Sequence, residues 1–423
     1  MPRRFLNLPF ILAALILSAA GAQAQVPQRL TLKEAYQLAL DQSEKIAIQE
    51  QLIKEAEGRF LQAFSTLLPE VAYVISEERN ERSVGASDRK LRERKFTFTQ
   101  PLFTGFKEFA AIAASRAEKS QFKHEKHRAQ ELLFVDVADA YYFFLSFQDD
   151  IETLATIREA LTERVKELNQ RQELGRSRAS EVASAQARLS RIEADLEEVN
   201  GQAEVFRQLL EFLTGRALEW LNDDAGSLEL LLAENYLAKA DERSDVRAAF
   251  EAWRSARGEV GVARANFFPE VSAEGNYYEK REGASADNDW DVTFTVDVPL
   301  FEGGENVGLL KEARSVAAQK ELLYQESRRL AELQIRNAYT NATVMLRRQE
   351  ALKRAYEAAD QNFNLQKEDY HKNLVNNLEV LQAIEDLQEM RRAFTSAENE
   401  TKRLYWNLLV ASGGLYDTLG LSD

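Results

Sequence analysis

Leu67-Leu68-Pro69-Glu70-Val71, running on to Gln100-Pro101-Leu102-Phe103-Thr104-Gly105, returns later in the chain as Phe267-Phe268-Pro269-Glu270-Val271, running on to Val298-Pro299-Leu300-Phe301-Glu302-Gly303. The opening prolines, 69 and 269, stand 200 residues apart and the closing ones, 101 and 299, stand 198 apart. A period that long marks a duplicated half rather than a short solenoid repeat. Between the prolines the pattern has period two. Val71, Tyr73 and Ile75 alternate with Ala72, Val74 and Ser76, so the first strand is apolar on both faces, and Phe96 and Phe98 alternate with Thr97 and Thr99. In the second copy Trp290, Val292, Phe294, Val296 and Val298 alternate with Asp291, Thr293, Thr295 and Asp297, and Val271, Ala273, Gly275 and Tyr277 with Ser272, Glu274 and Asn276. Such strands put one face in water and the other in something apolar, and segments of about 10 residues suit a tilted crossing of a bilayer.

Composition conceals this. The chain is 45% hydrophobic and 29% charged, with a mean hydropathy of −0.42. A spanning barrel hides in such averages because only alternate strand residues face lipid. Four strands cannot close a barrel, so strands that span require oligomerisation.

Outward from the hairpins, residues 1–24 read as a secretory signal: Arg3 and Arg4, an apolar run from Phe10 to Leu17, then Ala22-Gln23-Ala24. No cysteine occurs, so neither a disulfide framework nor a lipid-modified cysteine is expected. No later stretch is apolar enough for a transmembrane helix. The net charge of −15 disfavours binding to nucleic acid or anionic lipid. Thr31, with Glu34 three residues on, predicts a capping box opening a helix. Further helices are expected over 44–67 and 243–267, each delivering the chain to a proline and a strand.

After Gly105, and again after Gly303-Gly304, the chain lacks both Gly and Pro over Phe106–Leu174 and Leu309–Ser412. Apolar positions such as Leu154, Ile157, Leu161, Val165 and Leu168 recur at helical steps. Glu, Lys, Arg and Gln between them read as a solvated face. A helix of about 65 residues would be roughly 100 Å long, which suits a tube rather than a globular core. Each long helix is expected to turn back once, near Gly175-Arg176-Ser177 in the first half and near Asn373-Leu374-Val375 in the second. Gly175 and Asn373 align at the offset of 198, and both residue types tolerate a left-handed cap. The domain reading is therefore 25–214 as a first repeat with a strand hairpin at 69–103, and 215–242 as an equatorial connector. Residues 243–414 form a second repeat with a hairpin at 269–301, and 415–423 a tail.

Chemistry is sparse. No phosphate loop, nucleophile elbow or HExxH is present, and no cofactor is expected. His124 and His127 sit at i and i+3 without an apparent third ligand and read as helix surface. Paired acids such as Asp149-Asp150 and Asp223-Asp224 read as solvent-facing or helix-starting.

These residues, duplicated and in order, resemble the TolC-type outer-membrane efflux and secretion channels. The match rests on the Leu30-to-Ala35 opening, the Phe268-Pro269-Glu270 and Pro299-Leu300-Phe301 frames that repeat those at Pro69 and Pro101, the Arg243-Ser244-Asp245 start of the second half, and the two tips. The resemblance implies a mainly α fold with a small β part. Long antiparallel helical hairpins would form a trimeric α-barrel tunnel, and four strands per chain would contribute to a twelve-stranded transmembrane β-barrel. It implies a non-enzymatic homotrimeric duct in the Gram-negative outer membrane that reaches into the periplasm. Its partners would be outer-membrane lipid, a periplasmic adaptor and an inner-membrane RND or ABC transporter, in a tripartite efflux pump or a type I secretion system. It also implies a gate at the tips. Tyr370 takes the place of a latch tyrosine that pairs with an acid at the position of Glu181 on a neighbouring passage. Glu379 and Gln382 fall where some members carry two rings of acid, and Val375 replaces a latch arginine, which implies a looser, less charged gate. A periplasmic structural coiled coil or adhesin without a channel is the competing reading, and an exported enzyme a third.

Overall fold

A computed structural model describes residues 30–80, 89–218, 220–222, 229–282, 287–372 and 374–420. The expected signal at 1–24, Asp223-Asp224, tip residue Asn373 and residues 81–88 and 283–286 of the strand-hairpin loops lie outside the described residues. The first half runs α1 (Leu32–Gln42), α2 (Glu44–Ser65), β1 (Glu70–Asn80), β2 (Arg89–Thr104), α3 (Lys107–Glu173) and α4 (Ala179–Thr214). The second half repeats the order as α6 (Ser244–Ala265), β3 (Glu270–Arg281), β4 (Trp290–Asp297), α7 (Glu305–His371) and α8 (Asn377–Ser412). Short α5 (Ala233–Leu237) and a 3-10 turn (Ala240–Glu242) precede it, and α9 (Leu415–Leu419) follows.

Each long helix, α3 and α7, holds 67 residues, about 100 Å at 1.5 Å per residue. No helix among the described residues is long and apolar enough to cross a membrane. The capping box at α1 is formed: Glu34 N–H donates to Thr31 Oγ1 at 3.3 Å and Thr31 N–H to Glu34 Oε2 at 3.0 Å.

The halves pack as four passages side by side. α3 carries α2 against its first half, held by Arg59–Glu118, Lys119–Glu57 and Lys126–Glu50 ion pairs. It carries α4 against its second half, where Leu154, Leu161, Val165 and Leu168 interlock with Leu189, Ile192, Leu196 and Val199. α6 and α8 fill the next passage in the same way, and α7 forms the outer one. Trp253 of α6 stacks on Tyr324 of α7 with centroids 6.0 Å apart, and Tyr356 of α7 stacks on Phe394 of α8 at 5.9 Å. Close approach of α6 to α3 depends on glycine, since a Cβ on Gly258 would stand 2.7 Å from the Ala114 Cβ. The largest core gathers Tyr36, Phe134, Tyr141, Leu210 and Leu415 where α1 and the tail cross α3 and α4. The collar is tied by a bridge between Leu30 and Leu221 and by Tyr141 Oη, which donates to the Asn222 carbonyl at 2.5 Å.

At the start of the second half Arg243 is fully buried. It reaches both Asp245 oxygens at 3.0 and 2.7 Å, Gln334 Oε1 at 2.7 Å and the Ala411 carbonyl at the end of α8 at 2.9 Å. Burial alone would raise the Asp245 pKa, but Arg243 outweighs it and the carboxyl sits below its usual range.

The charges on the long helices are less solvated than their sequence suggests. Asp149 and Asp150, read as solvent-facing or helix-starting, lie in the middle of α3 and face α8. Asn399 Nδ2 donates to Asp149 at 2.9 Å and Arg392 pairs with Asp150 at 3.0 Å. Arg403 joins Asp139 at 2.9 Å, and Trp406 Nε1 donates to Tyr142 Oη at 3.0 Å. His127, read as helix surface, is half-buried with its ring edge-on to Tyr416 at 5.9 Å.

The sheet is antiparallel in the order β1-β2-β3-β4, with β1 and β4 as open edges. Across it Tyr73 faces Phe96, Phe96 faces Tyr277 and Tyr277 faces Trp290, while Ala273 faces Phe294 and Val271 faces Val296. One face is thus mainly apolar and exposed, with Phe294 70% accessible; Gln100, opposite Ala273, and Arg94, opposite Ile75, are polar residues on it. The other is polar: Thr97 Oγ1 donates to Asn276 Oδ1 at 2.9 Å, and Asn276 Nδ2 to Asp291 Oδ1 at 3.0 Å.

The prolines frame the two hairpins differently. Pro69, Pro269 and Pro299 stand outside the strands, but β2 runs through Pro101 to Thr104. The strand survives because the register shifts there: Pro101 faces Ser272 and Phe103 faces Val271, leaving Leu102 as an extra residue. A bulge removes the need for the missing proline N–H and swaps the face of the residues beyond it. Phe103 therefore joins the apolar face.

Candidate gate at the helical tips

Both long helices end in the same backbone device. Arg176 N–H donates to the Arg171 carbonyl at 2.7 Å and Gly175 N–H to the Gln172 carbonyl at 2.9 Å, with Gly175 at φ +69°. In the second half Leu374 N–H donates to the Asp369 carbonyl at 2.9 Å. These are the closing bonds of a Schellman turn, and 176 and 374, like 171 and 369, keep the offset of 198. Among the described residues the chain thus turns back at Gly175-Arg176-Ser177 in the first half and at Leu374-Val375 in the second.

After the second tip α8 starts with a capping box. Leu378 and Glu379 N–H groups donate to Asn376 Oδ1 at 2.8 and 3.2 Å, and Asn376 N–H donates to Glu379 Oε2 at 3.0 Å. Glu379 is exposed, as is Gln382, whose amide donates to Asp386 at 2.9 Å. Glu181 in the first turn of α4 accepts from Ser177 Oγ at 2.6 Å.

Within one chain Tyr370 meets arginines of α3. The Arg171 guanidinium donates to Tyr370 Oη at 2.8 Å, and Arg164 lies over its ring at 4.0 Å. Arg164 also donates twice to Asn377 Oδ1, at 2.8 and 2.6 Å, and both arginines bind Glu167, at 2.6 and 2.9 Å. Asn377 is 5% exposed, so this bond fixes the first residue of α8 against α3. On the other side Arg188 of α4 donates to the Leu381 carbonyl at 3.1 Å and pairs with Glu385 at 2.6 Å. Sequence reasoning named Tyr370 but missed Arg164, Arg171, Arg188 and Asn377. The arginine absent at Val375 is matched by two that reach the tyrosine from the facing helix, so the tip is not poor in charge.

Two grooves flank the cluster: one of about 570 Å³ between α3, α7 and α8, lined by Arg164, Gln170, Phe363, Lys367 and Tyr370, and one of about 320 Å³ between α4 and α8, lined by Arg188, Arg191, Gln382, Glu385 and Glu389. Both are open and charged. No group of three or more His, Cys, Asp or Glu that could hold a metal occurs among the described residues.

The family model described as "Outer membrane efflux protein" matches residues 35–216 and 238–414. Outer membrane protein TolC of Vibrio cholerae is 24% identical over 276 residues, 61% of this chain and 62% of that protein. Outer membrane protein OprJ of Pseudomonas aeruginosa is 23% identical over 315 residues, 71% of this chain and 66% of that one, so the matches span under two thirds of both relatives. In fold, the crystal structure of the outer membrane protein VceC from Vibrio cholerae superimposes with a TM-score of 0.79 at 21% identity, covering 90% of this chain and 96% of that one. With both halves matched in order, the chain belongs to the outer membrane efflux protein family and resides in the Gram-negative outer membrane.

Proposed function

We propose that the chain is one protomer of a passive homotrimeric duct that carries solutes from the periplasm to the exterior. The observation that carries this is the sheet: four strands with a mainly apolar face, a polar opposite face and two unpaired edges. Three copies joined β4 to β1 make twelve strands with no edge left, the condition a membrane sheet must meet. The four helical passages of each copy would continue the wall below, so that apolar residues left exposed on the outer passages, such as Leu322 and Leu323 of α7 and Val205 and Phe212 of α4, meet across copies.

The tips form the periplasmic entrance in this reading, with Glu181, Tyr370, Glu379 and Gln382 at the gate. The turns at Gly175-Arg176-Ser177 and Asn373-Leu374-Val375 would contact a periplasmic adaptor that couples the duct to an inner-membrane RND or ABC transporter. A wide aqueous path needs no substrate pocket, and the transported class is left to the pump.

The test is cross-linking and planar-bilayer recording on the purified full-length protein. A cross-linked trimer with discrete conductance steps is expected. A monomer that adds no conductance would overturn the proposal in favour of a periplasmic structural protein.

A further inference from the structure

Phe106 is the one non-glycine residue with a positive φ among the described residues, +67°, at the turn from β2 into α3. The matching turn of the second half is Gly303-Gly304, at φ +63° and +94°, so the same left-handed pair is made there without a side chain. Gly105 beside it has a reason: a Cβ there would lie 2.7 Å from the Ala265 carbonyl oxygen. Phe106 has no such packing, for it is 63% exposed. Strain kept at an exposed aromatic asks for a partner outside the chain.

The side it faces is set by its neighbours. The bulge at Leu102 turns Phe103 onto the apolar face of the sheet, Phe106 packs edge-on against Phe103 at 5.3 Å, and Phe109 comes next at 6.4 Å. The apolar face thus runs past the sheet onto the first turn of α3, through Phe109 at 61% exposure. In the second half it continues through Leu300 at 91%, Phe301 at 89% and Val307 at 63%. β4 is only 8 residues long, short of the roughly 9–11 that cross a bilayer, so an apolar extension is needed there.

Below this apron the sign changes on the same helix faces. Phe109, Ala113 and Arg116 share one exposed stripe of α3, and Val307, Lys311 and Arg314 share one of α7. The offset of 198 maps 109 onto 307 and 116 onto 314, so both copies place an arginine seven residues, about 10 Å, below the last apolar residue. None of Arg116, Lys311 and Arg314 has an ion-pair partner among the described residues, and the acid near the first, Glu118, is already held by Arg59. Both helices have their N-terminal ends at the sheet, so their side chains lean back toward it. A groove of about 470 Å³ beside α7 is lined by Phe267, Val307, Leu310, Lys311 and Arg314, an apolar wall with two cations at its foot.

We propose that this apron and its two arginines form two equivalent phospholipid sites on the periplasmic side of the outer membrane, one in each half: acyl chains lie on Phe106 and Phe109 with the headgroup phosphate on Arg116, and on Phe301 and Val307 with the headgroup phosphate on Arg314. It rests on the barrel reading above, and it sets a local basic girdle on a chain whose overall charge is strongly acidic. It fixes how deep the barrel sits, because apolar surface and cations meet the bilayer at different heights.

The full-length chain has no cysteine, so Phe106→Cys, Lys123→Cys and Phe294→Cys each give a unique thiol for bimane. Each labelled protein goes into phosphatidylethanolamine–phosphatidylglycerol vesicles containing lipid brominated near the top of its chains. Quenching is expected at 294 and 106 and not at 123. Quenching at 294 but not at 106 overturns the lipid site alone; quenching at neither overturns the barrel reading beneath it. Purified in mild detergent, trimers carrying Arg116→Ala and Arg314→Ala together should retain about fivefold less phosphatidylglycerol than the parent. Unchanged retention overturns the headgroup assignment. Loss of the trimer itself, with retention per trimer unchanged, gives these arginines to the contact between copies and overturns it too.

Discussion

The Arg164 guanidinium lies 4.0 Å from the Tyr370 ring centroid and binds Asn377 with two of its nitrogens, so one side chain of α3 holds the last turn of α7 and the first turn of α8. Opening the second tip by separating these helices must break both contacts. Tyr370→Phe removes only the hydroxyl that accepts from Arg171, about 0.5–1.5 kcal/mol, or up to about 3 for a charged donor. Tyr370→Ala also removes the ring under Arg164, roughly a further 0.5–2 kcal/mol. Resting conductance in planar bilayers should rise from parent to Phe to Ala. Equal conductance in the two variants would mean that the ring contributes nothing to closure.

Glu379 offers a separable test of charge. Its carboxylate caps α8, and glutamine serves that capping role as well, so Glu379→Gln removes charge while leaving the helix start intact. Three such carboxylates around an axis favour cations. The variant should keep its resting conductance but lose cation selectivity and block by trivalent ions, and Gln382→Glu should strengthen both. Selectivity and block unchanged in Glu379→Gln would put Glu379 away from the constriction.

Neighbouring residues of β4 should respond oppositely to the same substitution. Phe294 lies on the apolar face and Thr295 on the polar one. Arginine on a mid-membrane lipid face costs roughly 2–4 kcal/mol, whereas a lumen position meets water. Phe294→Arg should deplete assembled trimer in isolated outer membranes while Thr295→Arg does not. Equal loss would contradict the assignment of faces.

Asp149 makes stability depend on pH. Burial is the main cause that raises its pKa, with the Asn399 hydrogen bond opposing. Its folded form therefore holds a proton more tightly than its unfolded form, and this contribution, full below the usual value of 3.8, is lost as pH rises through the raised value. Asp149→Asn, which still offers Asn399 an acceptor, should unfold at higher temperature than the parent near pH 7. The gap should narrow in acid. A gap that stays constant between pH 7 and pH 3.5 would show that Asp149 does not titrate with folding.

Two glycines inside helices should respond in opposite directions. A Cβ at Gly258 would crowd Ala114, so Gly258→Val is expected to cost about 1–3 kcal/mol through overpacking. Gly201 in α4 has nothing within 4 Å of a built Cβ, and Gly201→Ala should gain about 0.5–1 kcal/mol from helix propensity. Thermal unfolding of the detergent-solubilised protein checks both.

The parts that could be read from sequence are those whose cause is local. Strand alternation, the Thr31 capping box, the absence of Gly and Pro over the long helices and the glycine at the first tip each act within a few residues, and all are present in the structure. The clamp on Tyr370 was not legible because Arg164 and Asn377 are 213 positions apart, and an arginine in a helix rich in Glu, Lys and Arg carries no mark of what it faces. Asp149 was misread for the same reason, its partner Asn399 lying 250 positions on. The path of β2 through Pro101 depends on its pairing with β3, against which Leu102 is left as the extra residue, and no feature of β2 alone announces it.

The open edges of the sheet bear on genetics. If each copy must lend β1 to one neighbour and β4 to the other, a copy with a damaged edge spoils every assembly it enters, including those in which the remaining copies are intact. Alleles altered at β1 or β4 would then be dominant over the unaltered gene, whereas alleles that abolish the chain altogether would be recessive.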